Sequence, residues 1–323
     1  MRYVTRRLFH AAFLLVGVSF LSFALLQWAP GDFFDELRLN PRISARTIEG
    51  LRAEYGLNES LPVRYERWLL SIAKGDLGFS IAYNSPVGPL LIVRARNTLV
   101  LTGAATIIAW TLAIPVGVWS AVSRGWPSRA IGFATSTLLT IPDLLLFLCL
   151  LLLAVRTGWF PVGGMFSPRA ADTVGIAAFW PSAEDLAAHL ILPAAGLALV
   201  ALPVLIRHVR SAMLDVLGSP FLRAARGHGI SRSRLLFRYA FPVAANPLIS
   251  LIGFSIATML SGSLVAEVVL SWPGLGPLLI EATLSRDVYV VVAIVLLSAV
   301  FLVLGMLVSD LLLFAADPRI RQE

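Results

Sequence analysis

The chain has 323 residues, of which 58% are hydrophobic and only 14% charged, with 24 glycines and 19 prolines among them. Even without glycine, that apolar share exceeds the ~45–50% of a soluble domain counted with it, which argues against a water-soluble enzyme and for an all-α polytopic membrane protein. The lone cysteine, Cys149, makes neither an intrachain disulfide nor a multi-cysteine metal site, and the net charge of +7 is distributed as in a membrane topology, not as in a nucleic-acid footprint.

Six stretches predict transmembrane helices, each long enough for the ~20 apolar residues a crossing needs: residues 8–28, 97–121, 131–155, 186–206, 247–270 and 288–314. The first follows a basic start and exits through "LLQWAPGDFF", which offers no small-x-small cleavage site, so it reads as an uncleaved span. Segment 31–96 is too polar for lipid and is punctuated by Pro41, Gly50, Gly56, Pro62, Gly75, Gly78 and Pro86. It is expected to form a cap on the outer face with two amphipathic helices, 45–55 and 63–72, the second offering Trp68, Leu69 and Ile72 to the membrane or a partner. The third span carries Asp143 in its middle, beside Pro142. The fourth is the weakest, because His189 and Pro193 interrupt its start.

Orientation follows from the basic residues of the short loops. Arg2, Arg6, Arg7, Arg124, Arg129, the seven arginines within 207–238, Arg319 and Arg321 fall on one face, and only Arg156, Arg169 and Arg286 on the other. Both termini are therefore expected in the cytosol. The chain divides into a tail with the first span (1–30), an outer segment (31–96), a five-span core (97–314) holding a cytoplasmic loop at 207–245, and a tail (315–323).

That loop is the most informative part. Its seven arginines and two histidines, His208 and His228, face a single acid, Asp215. A basic loop holding anionic lipid headgroups is the plain explanation, but the sequence has more organisation than that requires. In "SPFLRAARGHGI", Ser219 is placed to cap a short helix and Pro220 suits its first position. Gly227 and Gly229 then break it, and a second short run, "SRSRLLFRYAF", ends at Pro242. Two short helices joined by glycines would give a rigid surface against which another protein can push. Further on, Glu267 lies near the outer end of the fifth span, ahead of "SWPGLG". This hexapeptide is expected to reverse the chain tightly, with Trp272 anchored at the interface. Structural support is the plainer role for Glu267, and direct substrate contact the alternative.

The loop resembles the signature of the permease subunits of binding-protein-dependent ABC importers, in their dipeptide/oligopeptide/nickel branch. Arg223, Ala224 and Ala225 stand where the family has Glu-Ala-Ala, Gly229 is its glycine, and Tyr239, Phe241 and Pro242 hold the closing positions. The first residue departs from the pattern, Arg for Glu, and Tyr239 and Phe241 replace the usual aliphatics. "SLVAEVVLSWPGLGPLLIEATLSRDVYVV", "DLLLFAADPRIR", "RRLFHAAFLLVGVSFLSFALLQWAPGD" and "YGLNESLPVRYERWLLSIAKGDLGFS" resemble other parts of the same branch, so the likeness covers the whole chain, and its opening is similar to the B-type subunit.

The resemblance implies the type I importer permease fold and a channel for dipeptides or oligopeptides. Its partners would be a second homologous permease subunit (a heterodimer), two cytosolic ATP-binding subunits and an extracytoplasmic solute-binding protein. It also implies that residues 219–242 contain the coupling helix, with Arg223, Ala224, Ala225, Arg226, Gly227, His228, Gly229, Ile230 and Pro242 coupling to an ATPase subunit, and that Glu267, Trp272, Pro273, Gly274 and Gly276 lie in the branch's characteristic outer turn; these, with Asp143 on its own chemistry, are the candidates for the pathway or outer gate. Nickel, a nickel chelate or an oligosaccharide are alternative solutes. A secondary transporter or membrane scaffold is the alternative class.

The residues agree with a subunit that borrows its motor. The only lysine, Lys74, follows Ala73, so there is no phosphate-binding Gly-Lys-Ser/Thr loop, and His10, His189, His208 and His228 are too scattered for a metalloprotease motif. No catalytic residue, bound cofactor or metal is expected on this chain, and ATP with Mg belongs to the partner ATPases. Asp143 is the one acid well inside a span, thin support for an ion-coupled relay. It faces the path, pairs with a neighbouring helix, or sits in a kinked, watered segment.

Overall fold

The computed structural model describes residues 2–28, 46, 49–50, 52, 59–167 and 183–316. Among them the chain runs as α1 (Arg2–Trp28), α2 (Leu61–Ala73), a small hairpin of β1 (Phe79–Ser80) and β2 (Ser85–Pro86), α3 (Val87–Val122), α4 (Trp126–Thr140), α5 (Asp143–Thr157), α6 (Ala183–Leu217), α7 (Pro220–Gly227), α8 (Arg232–Arg234), a π-turn (Leu235–Ala240), α9 (Phe241–Val269), α10 (Leu275–Leu284) and α11 (Val288–Ala316). Among the described residues, five helical stretches are long and apolar enough to cross a membrane, and six if the bent pair α4 and α5 counts as one span.

The helices obey local chemistry, and four boundaries depart from the sequence expectation. α3 begins at Val87 rather than near Asn97, so the outer segment ends earlier. The third span is not one rod: α4 and α5 meet at 98°. Pro142 has no N–H to donate and drives Ile141 into extended backbone (φ −81°, ψ 121°), which stops α4 one residue before it. α6 runs 35 residues, through Pro193 and Pro203, and takes in much of what reads as loop after residue 206. The fifth span starts at Arg232, since the run 232–240 flows through its π-turn into α9 instead of ending at Pro242. The widened turn relieves the clash that a proline ring makes with the carbonyl four residues back. Of the outer helices, α2 forms as expected, while 45–55 and the tail 317–323 lie largely or wholly outside the described residues.

The chain divides into two compact units: Met1–Asn97 with Gly274–Val303, and Thr98–Pro273 with Leu304–Glu323. The first unit is built on an aromatic cluster. Phe23 of α1, Trp68 of α2 and Val292 of α11 are buried together, with Leu26, Tyr65, Ile72 and Tyr289 around them. Tyr65 Oη lies 2.9 Å from Ser19 Oγ, and Trp68 Nε1 donates to the Leu77 carbonyl at 3.3 Å. Trp68 is therefore a core residue, not the exposed anchor its amphipathic register implies.

The second unit packs α3, α5, α6 and α9. Leu101, Ala105, Ala109 and Ala113 recur every fourth residue on α3, fully buried in one core with Phe147, Leu197, Ala198, Met259 and Trp272. Between apolar helices in lipid there is little hydrophobic drive, so close approach through small residues decides the packing. A Cβ on Gly117 would fall 2.6 Å from Val209 Cβ, fixing α3 against α6. One on Gly253 would fall 2.7 Å from Ser309 Cβ, fixing α9 against α11. Ser309 Oγ adds a hydrogen bond to the Ile249 carbonyl at 2.9 Å.

Candidate functional site

The arginine-rich segment folds as its cap residues dictate. Ser219 takes extended backbone and its Oγ accepts from Leu222 N at 3.4 Å, with Pro220 at the first helical position of α7. Leu222 and Ala225 turn inward, into a cluster with Val118, Met213, Leu235, Ala240 and Ala244. Arg223, Ala224, Arg226, Gly227, His228 and Gly229 are exposed, Ile230 is half-buried and Pro242 exposed. The helix stops at Gly227. His228 closes it, and Gly229 turns the chain at φ +75°, a left-handed conformation that side chains disfavour. Phe221 is half exposed beside Tyr239, ring centroids 6.2 Å apart. The result is a short, uncrowded, basic helix held by its inner face alone and open on the other.

Two contacts tie the segments on either side of it to α3 and α4. Arg232 Nη2 donates to the Val122 carbonyl at the end of α3 (3.2 Å), and Arg207 Nη2 to Ser136 Oγ on α4 (3.1 Å). The basic loop thus meets the turn carrying Arg124 and Arg129, the two segments that the charge rule puts on one side. The loops assigned to the other side also meet. Gly164 N donates to the Ser271 carbonyl at 3.0 Å, and a Cβ on Gly163 would fall 3.0 Å from Ser271 Cβ.

That second meeting place contains the "SWPGLG" reversal. α9 ends at Val269, Ser271 adopts φ +53°, and Trp272 N donates to the Glu267 carbonyl at 2.8 Å. Trp272 is fully buried in the core of the second unit, which corrects its expected place at the interface. Glu267 is also fully buried; Pro273 is half-buried, and Gly274 and Gly276 are buried at the start of α10. Asp143 opens α5 directly after the break at Pro142 and is exposed; in the bent pair taken as one span it is still central, at the kink that the sequence offered as one of its readings.

Sequence reasoning missed a clasp within the first unit. The 79–86 hairpin hangs on Asp287, which is 2% exposed. Its Oδ2 accepts from Ser80 Oγ at 2.6 Å and from Ala82 N at 3.2 Å, and its Oδ1 from Val290 N at 3.4 Å, capping α11. Tyr83 Oη donates to Glu281 on α10. Burial first, then that hydrogen bond and the charge of Glu281, push the Tyr83 phenol up to about 12, with Arg94 opposing. The signal available in the sequence was an Asp immediately before an apolar run, the standard N-cap pattern.

Among the described residues no group of three or more His, Cys, Asp or Glu is arranged to hold a metal ion. What the geometry offers is mechanical: an open basic helix at one set of loops and tightly tied reversals at the others.

Residues 113–322 match the family of binding-protein-dependent transport system inner membrane components, and residues 1–100 match the N-terminal component of such membrane proteins. The chain is 37% identical to the oligopeptide transport system permease protein AppB of Bacillus subtilis, over 98% of each chain. It is 34% identical to the dipeptide transport system permease protein DppB of Escherichia coli K12, over 100% of this chain and 99% of the relative. To OppB of Mycobacterium bovis, an oligopeptide transport system permease protein, it is 30% identical over 99% of both. In fold it is similar to a chain of the inward-facing MetNI methionine ABC transporter, with a TM-score of 0.57 at 18% identity, covering 71% of this chain and 96% of that one. The chain belongs to the inner-membrane components of binding-protein-dependent transport systems and is a multi-pass permease subunit of an ABC transporter in the bacterial inner membrane.

Proposed function

We propose that this permease forms half of the channel of an ATP-driven importer of dipeptides or oligopeptides. Its partners in this reading are a second, homologous permease, two cytosolic ATPase subunits that bind the ATP and Mg, and an extracytoplasmic solute-binding protein. The single observation that carries the reading is whole-length likeness to permeases named for dipeptide and oligopeptide transport, at 34% and 37% identity.

Residues 223–230 and Pro242 act as the coupling surface, because α7 is short, basic and exposed on the face away from its packing. Closure of the ATPase pair pushes α7 as a rigid lever. The spans then exchange between outward- and inward-open states, each partner shifting the balance only by its differential contacts. Asp143, Glu267, Trp272, Pro273, Gly274 and Gly276 belong to the pathway or outer gate, with the buried Glu267 and Trp272 in supporting roles and the exposed Asp143 able to meet a substrate's amino terminus. Covalent chemistry stays on the ATPases.

The test is reconstitution of the chain with a second permease, ATPases and a binding protein of its own system, followed by uptake of labelled di-, tri- and oligopeptides, with nickel and an oligosaccharide alongside. Peptide uptake that requires ATP and every subunit is the expected result. Uptake by the isolated chain, or of nickel or sugar in place of peptides, would overturn the reading. Within that assay Asp143→Asn should weaken uptake of peptides with a free amino terminus several-fold and leave N-acetylated ones unchanged; equal kinetics for both would remove Asp143 from the pathway.

A further inference from the structure

Hydropathy ends the fourth span at residue 206 and gives Arg207 to a cytoplasmic loop, but α6 carries on through it to Leu217. From α6, Arg207 reaches across to α4, where its Nη2 donates to Ser136 Oγ at 3.1 Å. Both helices belong to the second unit. Ser136 lies ten residues past Trp126, the first of α4, and seven past Arg129. At 1.5 Å per residue that is about 10–15 Å along the helix from the end that the charge rule puts in the cytosol. Inclining α4 by half of the 98° bend it makes with α5 still leaves Ser136 ~7 Å or more inside a hydrocarbon core ~30 Å thick. The guanidinium is thus held beyond the level of the headgroups.

A strip of polar side chains continues from this contact. Ser136, Thr137, Thr140 and Asp143 are all exposed, as is Arg207. Thr140 stands one turn past Ser136 on the same face of α4, and Asp143 follows three residues later, after the break at Pro142. Neither Arg207 nor Asp143 forms an ion pair among the described residues. Charges at such depth are too costly to face acyl chains and belong to a watered path or to another chain. The donors at Arg207 suit one chemistry in particular. Ser136 Oγ accepts from the guanidinium and keeps its own hydrogen to give, while Arg207 has further N–H groups beside it. A cation and a hydroxyl donating toward one point match a carboxylate. Going away from the cytosol the strip runs from positive to negative. One helical turn and three extended residues separate the Ser136 and Asp143 α-carbons by at most ~17 Å, which an extended peptide of up to about five residues fits head to tail.

Resting on the peptide-importer reading, we infer that Arg207 with Ser136 is the subsite that takes the terminal carboxylate of the peptide, opposite Asp143 at its amino terminus, so that the peptide is held with its carboxylate toward the cytosol.

The experiment compares trialanine with its C-terminal amide in the reconstituted importer. Each variant's uptake is divided by the parent's for the same peptide, so that the preferences of the binding protein cancel. Arg207→Gln should lower kcat/KM for trialanine about 10-fold, the effect of losing hydrogen bonds between charged partners, and leave the amide within about twofold. Arg207→Lys, which keeps the charge, should restore most of the loss, and Arg129→Gln, nearer the cytosolic end of α4, should leave both peptides unchanged. Equal losses for the two peptides would overturn the site and give Arg207 to the packing of α6 on α4 or to the second permease. A parent that imports neither peptide would fail the importer reading itself, and the site with it. Where the parent imports trialanine alone, or Arg207→Gln is not recovered, a thiol decides: Ser136→Cys with Cys149→Ser, in the assembled transporter in membranes. Iodoacetamide should label the introduced thiol, and excess trialanine should slow the labelling at least ~3-fold while its amide does not. No labelling would put this face against lipid, and protection by neither peptide or equally by both would remove the carboxylate contact; each of these results overturns the site.

Discussion

Asp287 and Gly229 each sit in a short connection beside a helix end, and the chain treats them in opposite ways. Around Asp287 every donor is used: a serine hydroxyl and two backbone amides converge on one buried carboxylate. Around Gly229 nothing approaches within 4 Å of where a side chain would begin, and the preceding helix is anchored chiefly through Leu222 and Ala225. The first arrangement resists displacement because a buried charge stripped of its partners is expensive. The second leaves a helix that a partner can grip without first breaking contacts. A transport subunit needs both, since motion delivered at a loosely dressed end has effect only if other connections stay fixed.

The largest expected effect breaks the tied side of that contrast. Asp287→Ala leaves Ser80 Oγ and the amides of Ala82 and Val290 without their acceptor and should cost ~3 kcal/mol. The measurements are thermal unfolding in detergent and protease sensitivity of residues 79–86. Asp287→Asn, which keeps an acceptor oxygen, should cost about a third as much. An alanine variant as stable as the parent would mean that the hairpin is held by other contacts.

Gly229→Val acts on the open side. The position has room, so the penalty is the left-handed backbone itself, ~1–2 kcal/mol and local. Yield and membrane insertion should be unchanged, while ATP-driven uptake falls at least ~10-fold as the end of α7 is reshaped. Normal uptake would detach the coupling role from this turn.

Much of this was legible in the sequence, and what was not has physical causes. Runs of about 20 apolar residues mark spans regardless of tertiary context, and Ser219 with Pro220 marks a helix start because the cap bond is local. Hydropathy, however, records composition and not direction. Residues 131–155 stay apolar across Pro142, so the 98° break is invisible to it. An aromatic at a polar boundary looks the same whether it points inward or outward, so the sequence does not show that Trp68 and Trp272 are both buried. Of the glycines within spans, Gly117, Gly253 and Gly305 mark close helix contacts, whereas Gly17, Gly103 and Gly132 have open space. The clasp joins residues 207 positions apart, beyond any local pattern except the cap signal of Asp287.

A smaller effect is expected at the start of α7. Ser219→Ala removes the hydroxyl that accepts from Leu222 N and should loosen the helix by ~1 kcal/mol. Amide hydrogen exchange across 220–227 should quicken about fivefold with the rest of the chain unchanged. If exchange at Asp287 and Val290 quickened equally, the two connections would not be independent.

The smallest effect concerns the clasp at high pH. Tyr83 titrates near 10 in the unfolded chain and at about 12 when folded, because burial and the Glu281 carboxylate both disfavour the phenolate. Between those values the unfolded chain has lost the proton that the folded chain retains, so stability falls as pH rises. The contribution is complete below pH ~10 and gone once pH passes ~12. In a series of unfolding measurements across this window, the parent should lose stability more steeply than Tyr83→Phe, which has no proton to give up. Because Tyr83 is only half-buried, the difference in slope should be less than one proton. Identical slopes would place the phenol in water and reduce the clasp to Asp287 alone.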